Sequence, residues 1–176
     1  MSLRDHLPAH ETIAEFEVAR FDRFEDGLLL GEHGRRLGGI YLMGYFAEMS
    51  LKSAFFQLLG FRADEPITMK DVKTAGVLAC QDLRVREAPE RYHGLIFWFQ
   101  AILALRDHLG QSLSTDLSRE LGWRIQRIAA NWRVSMRYSR DVTVPKDWSD
   151  FVFDMRWIRD NCDSLAMISL GRWQGG

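Results

Sequence analysis

Glu48 and Lys52 stand four residues apart in "GYFAEMSLKSAFF", residues 44 to 56, a stretch otherwise apolar enough for the middle of a buried helix. An acid four residues before a base on an exposed helix face forms an ion pair worth a few tenths of a kcal/mol. The helical wheel argues against that setting. With residues about 100° apart and Ile40 at zero, Gly44, Ala47, Leu51, Phe55 and Leu58 cluster within about 60°. Glu48 falls at about 80°, inside the apolar arc, and Lys52 at about 120°, at its edge. The other side (Phe46, Met49, Ser50, Ser53, Gln57) is mixed, so the helix leaves little surface for water. A buried charge with no partner costs several kcal/mol, so both side chains need partners from outside the helix. Two uses fit: a structural pair that fixes the register of a facing helix or a dimer partner, or one wall of a polar cleft that takes a ligand.

Arginine is the second source of chemistry. The chain has 23 Lys and Arg, of which only Lys52, Lys70, Lys73 and Lys146 are lysine. Arginine grips carboxylate or phosphate through two parallel N–H bonds, which lysine cannot do. A GC-rich coding bias gives the same composition without any function. On a helix with Arg119 at zero, Arg137 returns to about 0°, Arg133 lies at about 320° and Arg140 at about 300°. Leu117, Leu121, Ile125, Ile128 and Trp132 form a stripe centred near about 210°. If one helix runs from Ser114 or Thr115 to Tyr138, these guanidinium groups share a face away from the core. With Tyr138 beside them they suit a phosphate or an RNA backbone, or a solvated face paired with Glu120 and Asp141.

Other chemistries find little support. His6 and His10 have ligand-like spacing, but Pro8 lies between them, and His33 and His108 sit by helix ends; no metal site is expected. No nucleophile motif is present. "GEHGRRLGG" lacks the preceding strand and the terminal Lys-Ser/Thr of a phosphate loop, so no cofactor is implied. Cys80 and Cys162 form no CxxC and read as small core residues. Net charge is −1, which gives no field to attract nucleic acid, so any such role must rest on a local patch. The start has no apolar signal region and no run of about 18 apolar residues occurs, so a cytoplasmic, membrane-free protein is expected.

The elements that must position these residues are helical. Apolar residues make up 47% of the 176 and aromatics 12%, ample for one folded domain, placed at 1–170 with a loose tail at 171–176. Pro8, Pro66, Pro89 and Pro145 fall between periodic segments. Helices are expected over about 10–30, 35–59 (with Gly60 as its stop), 90–109, 115–138 and 148–168. "TMKDVKTAGVLACQDL" reads as a short additional helix with Thr68 as N-cap and Asp71 three residues on. The 90–109 segment is apolar nearly all round and should be central. No strand alternation stands out. The reading is all-α, an up-and-down antiparallel bundle of four to five long helices.

"GYFAEMSLKSAFF" resembles the second helix of HEPN domains, where a small-Tyr-x-x-Glu-x-x-Leu-Lys-Ala pattern recurs; the present residues are Gly44, Tyr45, Glu48, Met49, Leu51, Lys52 and Ala54. "YHGLIFW" resembles the His-x-Leu that opens a later helix, and "NWRVSMRYS" resembles the aromatic-x4-Arg-Tyr segment of non-catalytic members. The resemblance implies a helical bundle, often a homodimer, that binds a nucleotide, RNA or a protein partner. Such proteins are often encoded beside a minimal nucleotidyltransferase, as a toxin–antitoxin-type pair. It marks Glu48, Lys52, Arg133, Arg137 and Tyr138, with His93, as ligand or partner contacts. Ribonuclease members carry Arg-x(4–6)-His at a late helix; "WRVSMRYSRD" has no His there. Arg86 to His93 and Arg4 to His10 satisfy the spacing, but about one or two matches arise by chance in a chain of this composition. A binding protein without catalysis is therefore expected. A metal-independent ribonuclease and a purely structural bundle are the alternatives.

Overall fold

The computed structural model describes residues 11–86, 93–163 and 165. The expected loose tail, the His6/His10 and Arg4/His10 spacings and Pro89 lie outside them. The described residues form six helices: α1 (Ile13–Glu32), α2 (Arg36–Leu58), α3 (Met69–Gln81), α4 (Leu95–His108), α5 (Thr115–Asn131) and α6 (Pro145–Asn161). A five-residue 3-10 helix, Val134–Tyr138, follows α5. The all-α reading holds. One small departure is an antiparallel bridge between β1 (Glu11–Thr12) and β2 (Pro66–Ile67), which pins the entry to α1 against the loop after α2.

The starts and stops follow local chemistry. Thr12 caps α1 in a reciprocal box with Glu15, and Thr68 caps α3 in the same way with Asp71, as the spacing predicts. The Ser114 hydroxyl accepts the Leu117 N–H at the start of α5. α6 begins with Pro145 at its first position, where the missing N–H costs nothing, and the Asp147 carboxylate accepts the Val144 N–H. Past the ends of α2 and α4 the chain turns at Gly60 and Gly110, with φ of +90° and +66°, a conformation side-chain-bearing residues avoid.

α2, rather than α4, occupies the middle. It packs against α1, α4, α6 and the 3-10 helix, and fourteen of its residues are buried. α1 and α2 form an antiparallel hairpin: Glu17 meets Ser53, Phe24 meets Phe46, and Gly27 abuts Gly39 and Met43. α6 runs back along α1, with Trp148 against Gly31 and Cys162 at Arg20. α4 begins beside the middle of α2, and Trp98 then meets Lys52, Phe55 and Phe56. The segment containing α3 carries the chain back, so α4 advances in the same sense as α2. Cys162 is buried as expected, but Cys80 is exposed, because it lies off the buried face formed by Val72, Ala75, Gly76 and Ala79.

Candidate ligand site on the central helix

The question raised by Glu48 has an answer inside the chain. Glu48 is 3% exposed, and its carboxylate has two partners. Lys52 Nζ lies 2.5 Å from Oε1. His93 Nδ1 lies 2.9 Å from Oε1 and 3.1 Å from Oε2. The Lys52 ammonium also sits 5.8 Å from the centre of the Trp98 ring on α4, an apolar seat with a favourable quadrupole. Residue 93 immediately precedes the first turn of α4, so the cluster pins the start of α4 to the middle of α2. Burial pushes the Glu48 carboxyl upward, but the His93 hydrogen bond and the Lys52 charge outweigh it and hold the group below its ordinary range. Glu48 is thus a buried carboxylate.

His93 is the outward member of the cluster, with 42% of its side chain exposed. Its Nδ1 is committed to Glu48, and Nε2 has no hydrogen-bond partner among the described residues. A carboxylate on one ring nitrogen fixes the imidazole's orientation and leaves the other nitrogen for a ligand.

One to two turns earlier on α2 lies an aromatic group. The Tyr41 and Tyr45 hydroxyls are 3.0 Å apart and their rings meet edge to face at 5.1 Å. Trp132 packs edge-on against Tyr45 at 5.5 Å and donates its indole N–H to the Tyr41 carbonyl at 3.0 Å. The indole lies directly over Gly44: a Cβ there would sit 2.0 Å from it. Burial first, then the Tyr41 hydroxyl and the Glu48 charge, push the Tyr45 phenol far above its ordinary value, with Arg137 acting in the opposite direction. Tyr45 therefore stays neutral and serves as a hydrogen-bonding aromatic surface.

The arginine face expected on one long helix does not form. α5 ends at Asn131, and Trp132 is extended, with φ −127° and ψ 135°. Seating its indole on Gly44 and the Tyr41 carbonyl draws the chain out of the helical path. Arg137 belongs to the following 3-10 helix and Arg133 is the extended residue that precedes it, and both are exposed. Arg119 stays on α5, paired with Asp116 at 2.8 Å. Arg137 stacks 4.7 Å from the ring centre of Tyr138, which is 80% exposed. Neither Arg133 nor Arg137 bonds Glu48. Of the expected residues, the structure joins Glu48, Lys52 and His93 directly; Arg137 adds its field at Tyr45, and Arg133 and Tyr138 stay on the rim.

A second buried acid escaped the sequence reading. Asp154 on α6 is 2% exposed and accepts from Arg124 Nη1 at 2.8 Å and Arg127 Nε at 2.7 Å. The Arg124 guanidinium lies about 5 Å from the ring centres of Trp123, Phe153 and Trp157. The signal was present, since Asp154 stands between Val152 and Met155 in the apolar stripe of α6, the same anomaly that marks Glu48.

No group of three His, Cys, Asp or Glu side chains that could hold a metal ion occurs among the described residues, and no described helix is long and apolar enough to cross a membrane. No protein-family model, no curated protein and no solved structure matches this chain.

Proposed function

We propose that the protein is a HEPN-like helical bundle that binds a nucleotide or RNA at the Glu48–Lys52–His93 edge of α2, without performing chemistry on it. The observation that carries this reading is His93, held by Glu48 through Nδ1 and presenting Nε2 outward. Lys52 neutralises Glu48, which leaves the nearby Arg137 and, in its imidazolium form, the Nε2–H of His93 as the groups able to donate to a phosphate. Tyr45 and Tyr41 offer rings for a base. Pairing as a homodimer, and with a nucleotidyltransferase-type protein, belongs to the same proposal by resemblance.

The test is titration of the purified protein with labelled oligoribonucleotides and with nucleoside triphosphates, read by anisotropy. His93→Ala and Arg137→Ala are each expected to weaken binding about tenfold, the loss of one charge-assisted contact. Unchanged affinity in both, with the fold intact, refutes the site.

One observation favours a second reading. A Glu–His pair with a free outward nitrogen is also the arrangement of a general acid–base. Against it, Arg86, the basic residue at the ribonuclease spacing, is exposed and makes no hydrogen bond or ion pair with His93 or Glu48. RNA cleavage by wild-type protein in the presence of a chelator, abolished by His93→Ala, would replace binding with catalysis.

A further inference from the structure

On the face of α2 opposite Glu48 lies a polar pocket of about 310 Å³, walled by Glu17 and Arg20 of α1, Ser50, Ser53 and Gln57 of α2, and Asp163 beyond α6. Its volume is that of a small-metabolite site. The wall is a continuous hydrogen-bonded chain. Gln57 Nε2 donates to Ser53 Oγ at 3.0 Å, and Ser53 donates to Glu17 Oε1 at 2.6 Å. Arg20, only 4% exposed, meets both carboxylates through the same nitrogen: Nη2 pairs with Glu17 Oε2 and lies 3.1 Å from Asp163 Oδ1. Arg20 Nη1 donates to Ser50 Oγ at 3.3 Å, and its buried Nε has no hydrogen-bond partner among the described residues.

This arrangement exceeds what two helices need to pack. A buried guanidinium is neutralised by one carboxylate, but here two converge on one nitrogen. The lining therefore carries a residual charge of −1, with Glu17 and Asp163 against Arg20. Both acids keep contact with solvent, their side chains 34% and 66% exposed. The Gln57 Oε1 accepts no hydrogen bond among the described residues. Three acceptors, two of them anionic, thus lie around one cavity. Cys162 also lines it, but burial raises its thiol to about 11, so it is a neutral, weak donor there and no nucleophile.

We propose that this pocket binds a small aliphatic amine, whose ammonium group donates to Glu17, Asp163 and the Gln57 carbonyl. The three N–H donors of a primary ammonium match those three acceptors. The short alkyl chain then lies over Ala54 and the stem of Arg20. The site is independent of the Glu48 cluster, since it occupies the opposite side of α2 and uses none of the same side chains.

Calorimetric titration with n-butylamine and putrescine tests it, with succinate as an anion and 1,4-butanediol as a neutral molecule of similar length. Saturable binding of an amine, and of neither control, is expected. Asp163→Asn and Gln57→Ala, both at partly exposed positions, should each weaken it about tenfold, while His93→Ala leaves it unchanged. A melting curve for each variant separates a lost contact from a lost fold. No saturable amine binding at millimolar concentration overturns the proposal. So does succinate binding as well as the amines, which would make Arg20 the recognising group, or full amine affinity in both pocket variants.

Discussion

Glu48 shows how one side chain ties stability to pH. Its carboxyl is held below the ordinary value by His93 and Lys52, despite a burial that pushes the other way. A group whose folded-state pKa is depressed stabilises the protein above its unfolded pKa and loses that contribution as pH falls through the folded one. The protein should therefore lose stability on acidification below about pH 4.5, beginning where unfolded glutamate takes up its proton. Glu48→Gln removes this titration and leaves Lys52 without its anion, at 12% side-chain exposure. A loss of about 2 kcal/mol near neutral pH is expected, with a shallower fall toward pH 3 than wild type, measured by urea unfolding across that range. A parallel pH dependence in the two proteins would remove Glu48 as the cause. The need for an outside partner was legible from the wheel, because an acid inside an apolar arc must be satisfied by something. The partner's identity was not, because His93 lies 45 residues away and reaches Glu48 only through the placement of α4.

At the scale of elements, Gly44 and Trp132 decide where α5 stops. The apolar stripe of α5 includes Trp132, and periodicity alone carried the helix on to Tyr138. What ends it is a tertiary contact with no local sequence signal: the indole takes the space a side chain at residue 44 would fill, and bonds the Tyr41 carbonyl. The starts of α3 and α5, by contrast, were readable within a residue, because Thr68 and Ser114 act on amides three positions away; α1 starts three residues later than its periodicity placed it, at the cap Thr12. Gly44→Ala tests the contact directly. Its Cβ would overlap the indole at 2.0 Å, so Trp132 must leave its seat. Overpacking of this kind costs about 1–3 kcal/mol. The expected result is a lower melting temperature with a shift of tryptophan emission toward that of an exposed ring. Gly38→Ala on the same helix, where the nearest atom to an added Cβ is a leucine methyl at 3.5 Å, should leave both unchanged.

Across the whole molecule, buried charge forms the fastenings between distant parts of the chain: Glu48 joins α2 to the start of α4, Asp154 joins α6 to α5, and Arg20 joins α1 to the end of α6. Arg106 is the exception. Its side chain is fully buried on α4, Nη1 donates to the Leu165 carbonyl at 2.8 Å, and Nε and Nη2 have no hydrogen-bond partners among the described residues. Burial alone lowers its pKa, so the charged form is disfavoured by folding. Two terms compete when it is replaced by methionine, which fills similar space without charge. The bond to Leu165 is lost, worth about 1.5–3 kcal/mol for a charged donor. Two unpaired donor nitrogens are also removed, each costing about 1–3 kcal/mol where it stands, along with the desolvation of the charge itself. The second group is larger, so Arg106→Met should raise the urea midpoint. The gain should not be uniform. The Leu165 carbonyl loses its donor on α4, so amide exchange near the end of α6 should quicken while exchange in α2 slows. A variant less stable than wild type, with α6 exchange unchanged, would mean that Arg106 is satisfied by buried water and holds the core rather than straining it.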